Sequence, residues 1–348
     1  MSSRIAASLH SGSKAAPTPS LYSGECPTRP SPCCASSGAT SRRDCSAATW
    51  PRSAPGARWS YFRSCAKPFQ AIAALRTGIV ERFGLTAEHV AIMCASHSGE
   101  PRHVTVVRDL LAHAEIDESS LQCGAHWPYD EAAAKVVRRE MTEPLAVFNN
   151  CSGKHSGMLA AARVLEAALA SYLEPSHPVQ QRIRQVVEEF TGCATTKVVY
   201  CIDGCSAPNA AVPLFAMAGS FARLVTSEDA ATRTAVEAMT THPFLVGGTK
   251  RFDTALMEVT GGRLLAKGGA AGAHCTADRQ SGVGLALKLE DVDGTWVSAA
   301  VMAALTDLGW LAPAEQQALD RFAHPTLRNH KGLEVGRVRP LLHLSKST

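Results

Sequence analysis

Apolar positions in this chain recur mostly at helical spacing, and they form runs of strand length chiefly in the later third. Phe69, Ile72, Ala73 and Leu75 lie on one helical stripe that starts after Ser64-Cys65-Ala66-Lys67-Pro68 and ends near Gly78. Pro68 is tolerable there, because a first helical turn has no backbone donor to lose. Val104, Val107, Leu110 and Leu111 predict an amphipathic helix, residues 129–141 and 158–169 predict two more, and residues 295–308 predict a closing one. The apolar run at 90–95 reads as a buried strand or a helix end. Residues 197–202 are the clearest β-branched strand, and 264–267, 273–276 and 283–289 predict neighbouring strands of one sheet. Helices outnumber strands and the strands come late. That pattern points to an α+β layered domain rather than alternating βαβ units.

Residues 1–58 break the pattern. They are rich in Ser, Pro, Ala, Arg and Cys, with seven prolines and only Glu25 and Asp44 as acids; Ile5, Leu9 and Leu21 are the whole supply of large aliphatic side chains. Such a segment buries too little apolar area to offset the cost of ordering it, so disorder or poor packing is expected. It lacks the apolar run, about 7–15 residues long, of a signal peptide. Its Arg/Ser bias fits a transit peptide, but Cys33-Cys34 and the prolines do not. Translation from a wrong reading frame would also give this composition. The boundary falls at residue 58, and over 59–348 the composition becomes that of an ordinary folded domain.

Composition narrows the classes. With 348 residues, 45% of them hydrophobic and 19% charged, the chain can bury a sizeable core, which excludes a disordered tail protein or a disulfide miniprotein. A balance of 35 basic to 31 acidic residues is too mild for a nucleic-acid footprint. No stretch approaches the roughly 18–20 apolar residues of a membrane span. Of twelve cysteines, four lie before residue 58, and the other eight show no C-x-x-C pair. They read as reduced thiols of a cytoplasmic protein. Cys201 and Cys205 are the one close pair, and a zinc knuckle would need a second.

Three segments carry candidate chemistry. Ser64 and Lys67 are three apart at a helix start, so they share a face, with the serine at the positive end of the dipole. A serine hydroxyl needs a base, and a lysine serves as one only if burial or cationic neighbours lower its pKa. S-x-x-K is the pair of serine β-lactamases and penicillin-binding proteins, although any exposed helix produces it by chance. Ser96-His97-Ser98 after an apolar run and Lys267-Gly268-Gly269 at a strand end repeat the order of that superfamily's other motifs. They depart from it at Ser98 and Gly268. Cys151-Ser152-Gly153-Lys154-His155 is not a phosphate loop: Phe148 stands where a glycine is required, and His155 follows the lysine. Cys151 is instead a plausible soft metal ligand and Asp203 a plausible hard one, compatible with zinc if a nitrogen ligand is added. The competing reading makes both residues turn caps and His155 a satisfied hydrogen-bonding residue.

Together, Arg63-Ser64-Cys65-Ala66-Lys67-Pro68, Cys94-Ala95-Ser96-His97-Ser98-Gly99-Glu100, Asn150-Cys151-Ser152-Gly153-Lys154-His155 and Asp203-Gly204-Cys205 resemble the rhizobial-type (thermolabile) L-asparaginase family. The similarity runs from about Trp59 to the end, including His324-Pro325 and Gly332-Leu333-Glu334-Val335. The resemblance implies a serine β-lactamase-like fold, a central mostly antiparallel sheet flanked by helices, and hydrolysis of L-asparagine to L-aspartate and ammonia. It also implies two Ser-Lys tandems, Ser64 with Lys67 and Ser96 with Lys267. Cys151, Lys154 and Asp203 would be zinc ligands, and His155 and Cys205 would lie around them or on the substrate side. The oxyanion donors would be the backbone N–H groups of Ser64 and of a residue just past Lys267. A homodimer fits the family. The family begins with strands that 1–58 do not resemble, so missing edge strands are expected. The alternatives are another amidohydrolase, such as a glutaminase or a peptidase-like enzyme, or a non-functional copy damaged at its N-terminus.

Overall fold

A computed structural model describes residues 5–11, 58–194, 198–290 and 294–342. Its strands are β1 (Ile5–Ser11), β2 (Trp59–Tyr61), β3 (Val199–Ile202), β4 (Pro208–Pro213), β5 (Leu264–Gly268), β6 (Ala273–Asp278), β7 (Val283–Leu289), β8 (Thr326–Arg328) and β9 (Glu334–Arg337). They form three antiparallel sheets, ordered β1-β7-β6-β5, β2-β4-β3 and β8-β9. The expected neighbours at 264–289 are therefore adjacent, β5 to β6 to β7. Helices pack around the larger sheet, and the fold is α+β with layers, as expected.

One expectation is corrected at the edge of that sheet. Residues 5–11 supply β1, which pairs with β7 from Ile5 opposite Leu289 to Ser11 opposite Val283. The missed signal is short: Ile5, Ala7 and Leu9 recur at period two inside a segment whose overall composition is poor in strand formers. Residues 12–57, and with them the reading of that stretch as disordered or out of frame, lie outside the described residues.

Two further differences bear on the site. The run at 90–95 is the end of a helix, Ala87–Met93, and the turn that follows it. The helix expected over 158–169 is Ser152–Val164, so the Cys-Ser-Gly-Lys-His segment opens a helix instead of preceding one. Gly153 and Gly157 count against a helix in sequence. Here they let it approach Ala87–Met93: a Cβ on Gly153 would overlap the Ile92 carbonyl, and one on Gly157 would overlap the Met93 sulfur. The apolar stretch 210–222 divides at Pro213, into β4 and the helix Leu214–Thr226. That helix packs on β1, β6 and β7. Below the Ser64 turn, Phe69 is fully buried against Phe62, Phe190 and Phe221, with ring centroids 5.6, 5.3 and 5.7 Å away. These rings anchor the start of the helix Lys67–Leu75 in the core. Among the described residues no helix is long and apolar enough to cross a membrane.

Candidate active site

Ser64 sits in a 3-10 turn, Arg63–Ala66, that runs directly into the helix Lys67–Leu75. Lys67 is buried, and its Nζ lies 2.6 Å from Ala95 O, 3.0 Å from Asn150 O and 3.0 Å from Ser96 Oγ. Lys267, at the end of β5, is also buried, with Nζ 2.8 Å from Ser96 Oγ and 2.7 Å from Gly268 O. Both lysines thus meet on one hydroxyl. The geometry differs from two separate pairs: Lys67 shares the Ser96 hydroxyl with Lys267, and the two carbonyls of Ala95 and Asn150 hold its Nζ in place. Ser64 lines the same cavity of about 720 Å³ as Ser96, with Tyr129, Asn150 and Asp253.

Burial lowers the pKa of both lysines. Lys267 falls to about 8, although Asp253 pulls it up. Lys67 is also lowered by burial, against the opposing pull of Cys151. Each charged form loses hydration that two or three contacts only partly replace. The amides just past Lys267 are committed: Gly268 N donates to Asp253 Oδ2 at 2.6 Å and Gly269 N to Ala273 O at 2.8 Å. Neither is free as the second oxyanion donor expected there, because the chain turns back at once into β6.

His97 is fully buried beneath Ser96. Its Nδ1 accepts the Gly99 N–H at 3.2 Å, so Nε2 carries the proton and faces Ser152 Oγ at 2.9 Å. Ser152 in turn donates to Val147 O at 2.8 Å. Burial holds the imidazole well below its ordinary pKa, so it remains neutral. The residue ties the turn that carries Ser96 to the helix that carries Lys154.

The expected metal ligands take different partners. Lys154 Nζ lies 2.9 Å from Cys205 Sγ, and Cys151 is hydrogen-bonded to Cys205. Asp203 instead binds Arg63 Nη2 at 3.0 Å and accepts from Gly204 N at 2.8 Å and Asn209 Nδ2 at 3.1 Å. The Asp203 carboxylate pins a turn in which Arg63 adopts a left-handed φ of 52°. The hydrogen bond from Cys151 draws the Cys205 thiol well below its usual range, with Lys154 adding to the effect. Burial works against the Lys154 ammonium, but Cys205 and Cys151 more than offset it and raise its pKa. His155 Nδ1 is 2.6 Å from Tyr172 OH, and its buried ring lies beside Cys205. Among the described residues no three His, Cys, Asp or Glu side chains gather as a metal site. Two thiols and the Lys154 side chain do gather; the thiols suit zinc, and the lysine would join them only after giving up its proton to become a neutral amine.

Asp253 escaped the sequence reading because no motif surrounds it. It stands at the start of the helix Phe252–Val259 and reaches the cavity wall beside Lys267. Its one signal lies in the Lys-Gly-Gly segment: Gly268 occupies the usual threonine position, and a Cβ there would lie 3.2 Å from Asp253 Oδ1. No curated protein matches the chain. A protein-family model described as L-asparaginase II matches residues 45–340.

Proposed function

The chain belongs to the L-asparaginase II family and is an amidohydrolase of the asparaginase type, and from that premise we propose that it hydrolyses L-asparagine to L-aspartate and ammonia through its two serines and two buried lysines. One observation carries the mechanism. Ser64 and Ser96 line one cavity, and Ser96 Oγ bridges Lys67 and Lys267.

Ser64 is the attacking group. Its Oγ bonds to the side-chain amide carbon as its proton passes to neutral Lys67, one helical turn away. A proton moves along Lys67, Ser96 and Lys267 to the amide nitrogen, and ammonia leaves. Water then attacks the acyl ester, its proton returns along the same chain, and Ser64 and L-aspartate are released. The Ser64 backbone N–H supports the oxyanion, a donor typically worth about 3–4 kcal/mol. Cys151, Lys154 and Cys205 would hold a zinc ion. When bound, it supplies a Lewis acid beside the cavity.

A second reading exchanges the serines: Ser96, the hydroxyl held by both lysines, attacks. That contact favours it, whereas greater exposure and an uncommitted hydroxyl favour Ser64. Among the described residues, Cys65, Cys94, Cys123, Cys151, Cys205 and Cys275 are buried free thiols, which supports a reducing, cytoplasmic setting for this enzyme. A homodimer is the assembly we expect for it. The test is ammonia release from L-asparagine, L-glutamine and a chromogenic β-lactam measured side by side. Preference for L-asparagine is expected; equal or faster turnover of L-glutamine overturns the assignment in favour of another amidohydrolase.

A further inference from the structure

An asparagine molecule brings three polar ends into the cavity: the amide to be cut, an α-carboxylate and an α-ammonium. The serines and lysines account for the first. Cationic side chains are plentiful around the rest of the wall, where Lys250, Arg251 and Arg321 line the cavity without an acidic partner among the described residues. They give an α-carboxylate a choice of partners. An ammonium has far fewer, because Asp253 is the single acid among the described residues that line the cavity.

Asp253 is built for such a role. Its Oδ2 accepts the Gly268 N–H at 2.6 Å and its Oδ1 faces His274 Nε2 at 3.1 Å, so neighbours on β5 and β6 fix the carboxylate plane. Lys267 Nζ is 3.9 Å away, beyond hydrogen-bond reach. Each carboxylate oxygen accepts two hydrogen bonds, so the group keeps acceptor capacity toward the cavity. Burial opposes the charge, but the hydrogen bond from His274 and the nearby Lys267 hold the carboxyl below its usual range and keep it ionised. Gly268 completes the arrangement, since a threonine there would crowd the carboxylate.

We propose that Asp253 is the residue that receives the α-ammonium of the amino-acid substrate, and so selects a β-amide that carries an α-amino group over one that does not. The inference rests on the asparaginase reading. It further requires that the ammonium sit next to Lys267, on the β5–β6 side of the cavity, with the α-carboxylate turned toward the cationic rim.

The test compares L-asparagine with succinamate, which is asparagine without its α-amino group. The native enzyme is expected to prefer L-asparagine in kcat/KM by a factor of about 100 or more, the scale set by a buried charged hydrogen bond left unpaired. Asp253→Asn keeps the shape and the His274 contact, and it is expected to lower that preference at least about 30-fold. A preference that survives unchanged, with both substrates slowed alike, overturns the proposal and makes Asp253 a positioning residue acting through Lys267. Calorimetric binding of L-aspartate and succinate to native and variant protein gives the same comparison without turnover. If the native protein hydrolyses neither amide, the asparaginase reading fails. Loss of aspartate-over-succinate selectivity on Asp253→Asn would still support the ammonium seat, and unchanged selectivity would overturn it.

Discussion

Ser96 Oγ lies 2.8 Å from Lys267 Nζ, which joins the turn after the helix Ala87–Met93 to the end of β5. Lys67 meets the same oxygen, so the two lysines titrate as a pair, and the relay works when the pair holds one proton. Below the first step both are ammonium and neither accepts the serine proton. With Lys267 brought down to about 8, kcat/KM is expected to rise with pH through that region and to fall again when the second proton leaves. Lys267→Arg, which stays charged and cannot pass a proton on, should cost at least about 1,000-fold of the rate. A pH–rate profile from about pH 6 to about pH 10 checks both, and a flat native profile contradicts the relay.

The serines are separated by trapping the intermediate. Ser64→Ala is expected to lower kcat at least about 1,000-fold, because it removes the group that forms the covalent bond. Ser96→Ala should cost about 100-fold, since it interrupts proton transfer and leaves the nucleophile in place. Peptide mapping of enzyme quenched during turnover should find the aspartyl ester on the peptide that contains Ser64. An ester on the Ser96 peptide would exchange the two roles.

Much of this site was legible because its parts are local. Ser64 and Lys67 share one turn, and the strands from Leu264 to Leu289 succeed each other along the chain, so spacing alone predicts them. What escaped depends on contacts between distant segments. The donor that faces Lys154 is Cys205 and not Asp203, because the chain reverses at Gly204 and Asp203 is drawn to Arg63. The start of the helix Ser152–Val164 was hidden by two glycines whose purpose appears only when Ile92 and Met93 are packed against them. Asp253 carries no motif, and its partners lie on β5 and β6. β1 was masked by the composition of the residues around it.

The ligand assignment predicts a division among variants. Cys205→Ser and Cys151→Ser should each lose most of the zinc found in protein purified from zinc-supplemented medium, because a hydroxyl is a poor replacement for a thiolate. Asp203→Asn should retain it to within about twofold, since that carboxylate is engaged by Arg63 and Asn209. Elemental analysis of the three purified variants checks the division. Zinc lost from Asp203→Asn but kept by Cys205→Ser would restore Asp203 as the ligand.

The close approach of two helices gives a prediction independent of the chemistry. Gly153 precedes Lys154 and packs on the last turn of Ala87–Met93, where the Ile92 carbonyl occupies the space a methyl would need. Backbone cannot rotate aside as a side chain can, so Gly153→Ala must separate the helices. Alanine's better helix propensity, about 1 kcal/mol, works in the opposite direction. Overpacking against backbone is expected to exceed it and leave a net loss of about 1–3 kcal/mol in a denaturant melt. The displacement also carries Cys151 and Lys154 away from Cys205 and loosens the Ser152–His97 contact beneath Ser96. Activity should therefore fall at temperatures well below the melt. An unchanged or raised melting midpoint would mean that the helices have room to move apart, and the tight crossing described here would be wrong.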